Sequence, residues 1–222
     1  MVPWQIVERA PGPGGAEWVL ARRGEEWVVR AAGRVLMSSR QHGSEEALAA
    51  LALAKVAHPR VVLVGGLGLG FTLRAALDRV PASSKVVVAE LVPALVAWNR
   101  DHVGHLAGRP LDDPRTRLQG GDVLARIAEA RGAFDAILLD VDNGPSALAD
   151  AANGRLYGEA GARACRDALR AGGALAVWSA GPDERYRARL AKAGLEVEAH
   201  GVPARSGTAR GVRHLVYVAR RA

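Results

Sequence analysis

The chain has 222 residues, 49% of them hydrophobic, a single cysteine and a formal net charge of +7. That is material for one sizeable core with a small appendage at most, and the lone Cys165 excludes a disulfide framework and a cysteine-rich zinc site and fits a reducing compartment, the cytoplasm. No run of about 18 apolar residues is free of charge, so no membrane span is expected, and the opening MVPWQIVERAPGPGG lacks the basic-then-apolar order of a secretory signal.

Residues 1–40 read as β-rich. Glu17–Arg23 and Glu26–Ala32 carry Trp and Val on either side of Gly24, and Arg34–Ser38 follows Gly33, which together predict a small antiparallel unit. Residues 1–43 are therefore expected to form a small N-terminal β-rich subdomain, and residues 44–222 the main domain. Ser44-Glu45-Glu46 opens an Ala/Leu-rich helix running to about Ala57, with Ser44 as its N-cap and Pro59 closing it. From Arg60 onward strands and helices alternate. Val61–Val64 is a buried strand ending in glycines, and a helix follows over Thr72–Arg79. Val86–Ala89 is a strand ended by Glu90, and the next helix starts at Pro93, a tolerated first-turn position, and runs to about His102. Then come a strand over Thr116–Gln119, a helix over Asp122–Arg131 and a strand over Phe134–Leu139 ended by Asp140. A helix over Arg155–Arg170 is expected to stop at Gly172-Gly173, ahead of a strand at Ala174–Trp178. A helix over Asp183–Ala193 leads to two closing strands, Leu195–Ala199 and His214–Ala219, with the loop Gly201–Gly211 between them as the best candidate for a mobile segment.

This order predicts an α/β fold: an open, mostly parallel, Rossmann-like seven-stranded sheet with helices on both faces. The last two strands have no helix between them, so one is expected to run antiparallel at or near the edge. In such a sheet a ligand sits outside the carboxyl ends of the strands, so the residues that end strands are the informative ones.

The first of these is the glycine run Gly65–Gly70. Gly65, Gly66, Gly68 and Gly70 let backbone approach a ligand ahead of a helix N-terminus. Phe71 occupies the place of the last glycine in the dinucleotide pattern, which lowers the case for a nicotinamide cofactor. Glu90, about twenty residues on, can accept two hydrogen bonds from a ribose diol. Asp122 can accept from an adenine amino group or cap the following helix. Asp140 faces the reacting centre and can orient an amine and accept its proton. Asp142 and Asn143 add polar reach there, while Asn143-Gly144-Pro145 also fits ordinary turn chemistry. Leu91 and Val123, next to the two donor carboxylates, complete the donor set, and Glu45, Glu46, Asp142 and Asn143 form the expected acceptor set. His102 and His105 lack acidic or cysteine neighbours, so no metal site is expected. Cys165, Trp98 and Trp178 read as packing or cleft wall. No nucleophile elbow is present.

In the order of these pieces the chain resembles the spermidine synthase (polyamine aminopropyltransferase) group of the class I S-adenosylmethionine-dependent fold. The matching pieces are Gly66-Leu-Gly-Leu-Gly-Phe-Thr-Leu-Arg74, Val88-Ala-Glu-Leu-Val92, Asp112-Asp-Pro-Arg115 with Gly121-Asp122, and Phe134-Asp-Ala-Ile-Leu-Leu-Asp140. The resemblance implies a donor site on Glu90 (ribose) and Asp122 (adenine) and a catalytic carboxylate at Asp140. The implied donor is S-adenosylmethionine or its decarboxylated form, and the implied acceptor a small-molecule amine. Leu69 stands where the family's Asp holds the aminopropyl amine, and Ser44-Glu45-Glu46 stands where the family has Tyr-His-Glu. A methyltransferase acting on a small molecule or RNA is therefore the alternative, and a non-catalytic nucleotide- or RNA-binding module the third reading. A homodimer is allowed and a membrane partner is not. The arginines are scattered along the chain without interleaved aromatics, which favours solvated surface over a nucleic-acid footprint.

Overall fold

A computed structural model describes residues 2–141, 144–145, 155–207 and 211–222. The N-terminal residues form a four-stranded antiparallel sheet in chain order, β1 (Gln5–Pro11), β2 (Glu17–Arg23), β3 (Glu26–Ala31) and β4 (Arg34–Ser38). Alternation along β2 and β3 turns Trp18, Leu20, Trp27 and Val29 to one face, where they pack with Leu69, Leu95 and Trp98 of the following segment. The small sheet thus closes over one side of the main sheet's carboxyl edge.

The main sheet has seven strands: β5 (Val61–Gly65), β6 (Lys85–Glu90), β7 (Thr116–Gly120), β8 (Phe134–Leu139), β9 (Leu169–Ser179), β10 (Leu195–Pro203) and β11 (Arg213–Arg221). Their order is β10-β11-β9-β8-β5-β6-β7. All neighbours are parallel except at β11, which runs antiparallel to both β9 and β10, one place in from the edge. The helices are α1 (Gly43–Leu53), α2 (Phe71–Leu77), α3 (Pro93–Trp98), α4 (Val123–Glu129), α5 (Glu159–Ala168) and α6 (Glu184–Lys192). Successive strand residues face opposite sides. Val62, Val64, Ala136 and Leu138 pack under α1 and α2, while Leu63, Ile137 and Leu139 pack under α4, α5 and α6. Every residue of β8 is buried, and its one charged member, Asp135, is met by the Arg60 and Val61 N–H groups and by Arg170. The strand order turns back between β5 and β8, and the carboxyl ends of these two strands define the ligand crevice.

Several boundaries differ from expectation for local reasons. The first helix begins at Gly43, whose N–H donates to the Ala204 carbonyl at 3.0 Å, so Ser44 lies inside the helix and is not its cap. It ends at Leu53 rather than Ala57, because the Lys55 and Val56 N–H groups tighten onto carbonyls three residues back. Gly172-Gly173 do not stop a helix. They sit in β9, where Phe134 pairs Leu169 but Ala136 pairs Ala174, and the extra residues bulge out. The helix before them is shorter than predicted and ends at Ala168. Gly201–Pro203 belong to β10, paired with Arg213–Leu215, so the connection is shorter than the loop expected there.

Gly66 joins the two strands of the crevice. Its N–H donates to the Ala89 carbonyl at 2.9 Å, its φ is +89°, and an added Cβ would overlap the Asp140 carbonyl oxygen. Gly66→Ala is expected to cost about 2–4 kcal/mol of stability, from positive φ and overlap together. Urea denaturation measures it, and a loss below about 1 kcal/mol would show that the turn relaxes freely.

Candidate active site

A cavity of about 150 Å³ lies outside the ends of β5, β6 and β8, roofed by Trp18 and Met37 from the small sheet. Gly66, Gly68, Glu90, Asp122 and Asp140 line it. Among the described residues no Lys or Arg does.

Glu90 ends β6 and is buried, 6% exposed. Oε2 accepts the Leu67 N–H at 2.7 Å and Oε1 accepts the Val92 N–H at 2.7 Å. One carboxylate therefore fixes the glycine loop and the entry to α3 at once. Burial pushes its pKa up, and the backbone N–H groups pull back against that. Each oxygen keeps a lone pair for a ligand. Asn99 completes the clamp: its Nδ2 donates to Gly68 O and Leu95 O, both at 2.8 Å. Asn99 opens a π-turn, Asn99–Val103, that continues α3.

Asp122 caps α4, its Oδ1 accepting the Leu124 N–H at 2.8 Å, and also lines the cavity. The two roles coexist, as the residue type allows.

Asp140 ends β8, and its N–H donates to the Gly65 carbonyl at 2.9 Å. Thr72 Oγ1 donates to its Oδ2 at 2.6 Å, so the first turn of α2 orients the carboxylate. Burial pushes Asp140 up to about 6. Glu45, in the first turn of α1, is pushed up to about 8, by burial first and then by the Asp140 charge. Ser44 Oγ lies 2.6 Å from Glu45 Oε2 and 2.9 Å from His214 Nδ1, and it accepts the Trp178 indole N–H at 3.0 Å. Trp178 and His214 meet edge to face with centroids 4.7 Å apart.

The expected donor residues Gly66, Gly68, Glu90, Leu91, Asp122 and Val123 all line the cavity, with Asp140 at its inner end. Gly65 and Gly70 serve the backbone instead. An added Cβ at Gly65 would press on Val123 and Leu139, and one at Gly70 on Pro110 and Asn99. Of the acceptor residues, Glu45 sits with Asp140. Glu46 turns outward, held by His42 at 2.9 Å and Ser206 at 2.8 Å. Asp142 and Asn143 lie outside the described residues. Leu69 is buried in the apolar cluster with Trp18 and Leu95 and does not line the cavity. Sequence reasoning does not identify Thr72, Asn99, Ser44 and His214 as site residues, and reads Trp178 only as wall. Thr72 carries a signal: it is the first polar side chain after the glycine run.

No family model matches the chain. Over 96 residues, 43% of the chain, it is 35% identical to putrescine N-methyltransferase 1 of Nicotiana tabacum, covering 25% of that protein. Over 121 residues, 54% of the chain, it is 35% identical to a polyamine aminopropyltransferase of Nitrosomonas europaea, covering 35% of that protein. The matched stretch thus spans only about a quarter to a third of these curated relatives. In fold it is similar to the spermidine synthase of Thermotoga maritima, with a TM-score of 0.79, 18% identity, and coverage of 98% of this chain and 73% of that one. A spermidine synthase solved with the transition-state analogue AdoDATO gives 0.78 and 17%, with the same coverage. The overall fold is that of these spermidine synthases.

Two outcomes are expected. Glu90→Gln can accept from only one of the two backbone N–H groups and sets its amide against the other, so stability should fall by about 1–3 kcal/mol in urea. An unchanged midpoint would show that the clamp is not needed. Glu45 and Asp140 hold protons in the fold well above their ordinary 4.5 and 3.8. Their contribution to stability is therefore full below the ordinary values and is lost as pH rises through the folded ones. Glu45→Gln should flatten the fall in urea midpoint between about pH 5 and 8; an unaltered slope would contradict the assigned shift.

Proposed function

We propose that the chain is a transferase that moves an alkyl group from an S-adenosyl sulfonium donor to an amine. The group proposed is the aminopropyl of decarboxylated S-adenosylmethionine, as the names of the aminopropyltransferase relatives suggest. The carrying observation is the charge of the cavity: Glu90, Asp122 and Asp140 line it, and among the described residues no Lys or Arg does. A donor that kept its carboxylate would bring a negative charge against carboxylates that have no counter-cation among the described residues. A donor whose tail ends in an ammonium meets the complementary sign. In this reading Glu90 accepts the ribose diol on its remaining lone pairs, Asp122 faces the adenine amino group, and Leu91, 57% exposed at the cavity mouth, packs against the base.

Attack by the amine lone pair forms the C–N bond as the C–S bond breaks and its electron pair collapses onto sulfur. The product ammonium then gives a proton to Asp140. A carboxyl raised to about 6 is better matched to that transfer than an ordinary one. Thr72 keeps it aimed. The acceptor is proposed to be a small amine held near Asp140 and Glu45, with Asp142 and Asn143 as further candidates. The buried single cysteine fits the cytoplasm as its place.

One observation favours a second reading, methyl transfer from S-adenosylmethionine itself. Leu69 sits in an apolar cluster where it can hold no terminal amine, and putrescine N-methyltransferases share the matched stretch. Calorimetric titration with both donors separates the two. Aminopropyl transfer predicts tighter binding of the decarboxylated donor by about 10-fold, or 1.4 kcal/mol, and tighter binding of the carboxylated donor would support methyl transfer instead. Asp140→Asn should keep donor affinity and lose about 10²–10⁴ in turnover; full activity would remove its role.

A further inference from the structure

The alkylation leaves a proton on a partly buried carboxylate pair, and that proton needs a way out to solvent. Three heavy atoms lie in line to carry it, namely Glu45 Oε2, Ser44 Oγ at 2.6 Å, and His214 Nδ1 at 2.9 Å from that oxygen. Ser44 is fully buried, while His214 is half-buried. Trp178 makes the arrangement two-way. An indole N–H can only donate, so it always fills one lone pair of Ser44 Oγ. One lone pair and one O–H remain for Glu45 and His214.

Only two patterns then satisfy every group. With Glu45 ionised, Ser44 donates to Glu45, and His214 donates its Nδ1–H to Ser44. With Glu45 protonated, Glu45 donates to Ser44, and Ser44 donates to an unprotonated His214 Nδ1. Both patterns have the same heavy-atom geometry and leave none of these three groups without a partner. Passing from the second pattern to the first takes two short transfers, Glu45 to Ser44 and Ser44 to His214 Nδ1, with no turn of the hydroxyl.

We propose that Glu45, Ser44 and His214 form the proton exit of this site. The proposal rests on the amine-alkylation reading and adds its missing step. Glu45, protonated at the outset, takes the proton of Asp140 on Oε1 as its own Oε2 proton is given to Ser44 Oγ and the Ser44 O–H is given to His214 Nδ1, so the serine is unchanged. The imidazolium formed then loses its Nε2 proton to solvent. Burial holds the His214 pKa below its ordinary value, so the ring does not retain the proton. The other titratable groups around Glu45 among the described residues are Asp140 at the end of β8 and Glu46 on its own helix.

The test has two arms. Imidazole ¹⁵N shifts of His214, followed by NMR through the pH range in which Glu45 titrates, should show the ring passing from the Nε2–H tautomer at lower pH to the Nδ1–H tautomer at higher pH. Glu45→Gln should abolish the change. A tautomer that stays constant in the wild-type protein overturns the proposal, and this arm decides it whether or not either donor is turned over. In turnover, His214→Ala should lower kcat about 10-fold with the donor KM unchanged, and added imidazole should restore it. Ser44→Ala should lower kcat similarly without rescue, because the break lies inside the path. Loss in His214→Ala with no imidazole rescue, or full activity in both variants, overturns the proposal. A wild-type protein inactive with every donor would overturn the alkylation reading and not the proton coupling.

Discussion

The site hangs on one buried carboxylate. Glu90 has been taken out of water at the end of the apolar run Val86–Ala89, and such a group persists only where donors meet it. The donors here are two backbone N–H groups from different segments, Leu67 in the glycine loop and Val92 at the entry to α3. The loop cannot leave Glu90 without stranding a charge, and Glu90 cannot turn without releasing the loop. That mutual requirement holds the space between them open and pre-shaped for a ligand.

The same logic extends along the carboxyl edge of the sheet. Asp140 is tied by its backbone to Gly65 and by its side chain to Thr72, so β5, α2 and β8 set its position together. Gly66, caught between the Ala89 and Asp140 carbonyls, is the place where a side chain cannot be added. The small sheet contributes no acid or base. It supplies Trp18 and Met37 as a roof, and its inward tryptophans lock it to α3. Charge is thereby concentrated on one wall of a cleft whose other wall is apolar, which strengthens the interaction of that wall with a cation.

Much of this is legible in the sequence, and the part that is not has a physical cause. The apolar runs Val61–Val64 and Ala136–Leu139 announce buried parallel strands, and strand ends announce Glu90, Asp122 and Asp140. Local turn chemistry announces the Asp122 cap. Ser44, Trp178 and His214 cannot be read together from the chain. Their meeting depends on β11 inserting beside β9 and on Gly43 docking against the Ala204 carbonyl, contacts between residues as many as 170 positions apart. Ser44 reads as a cap for the same reason: its hydroxyl has better partners in the tertiary structure than the helix end provides. Gly172-Gly173 read as a helix stop because glycine pairs usually punctuate helices, whereas here they relieve a mismatch of register between β8 and β9.

The central claim is that the Glu90–Asp140 wall is a nucleoside-sulfonium site. A crystal structure with 5′-deoxy-5′-methylthioadenosine, the part shared by both donors, tests it most directly. Both ribose hydroxyls are expected on the Glu90 carboxylate, the adenine amino group towards Asp122, and the thioether sulfur directed at Asp140. A nucleoside bound elsewhere, or one in the cleft with its ribose away from Glu90, would contradict it.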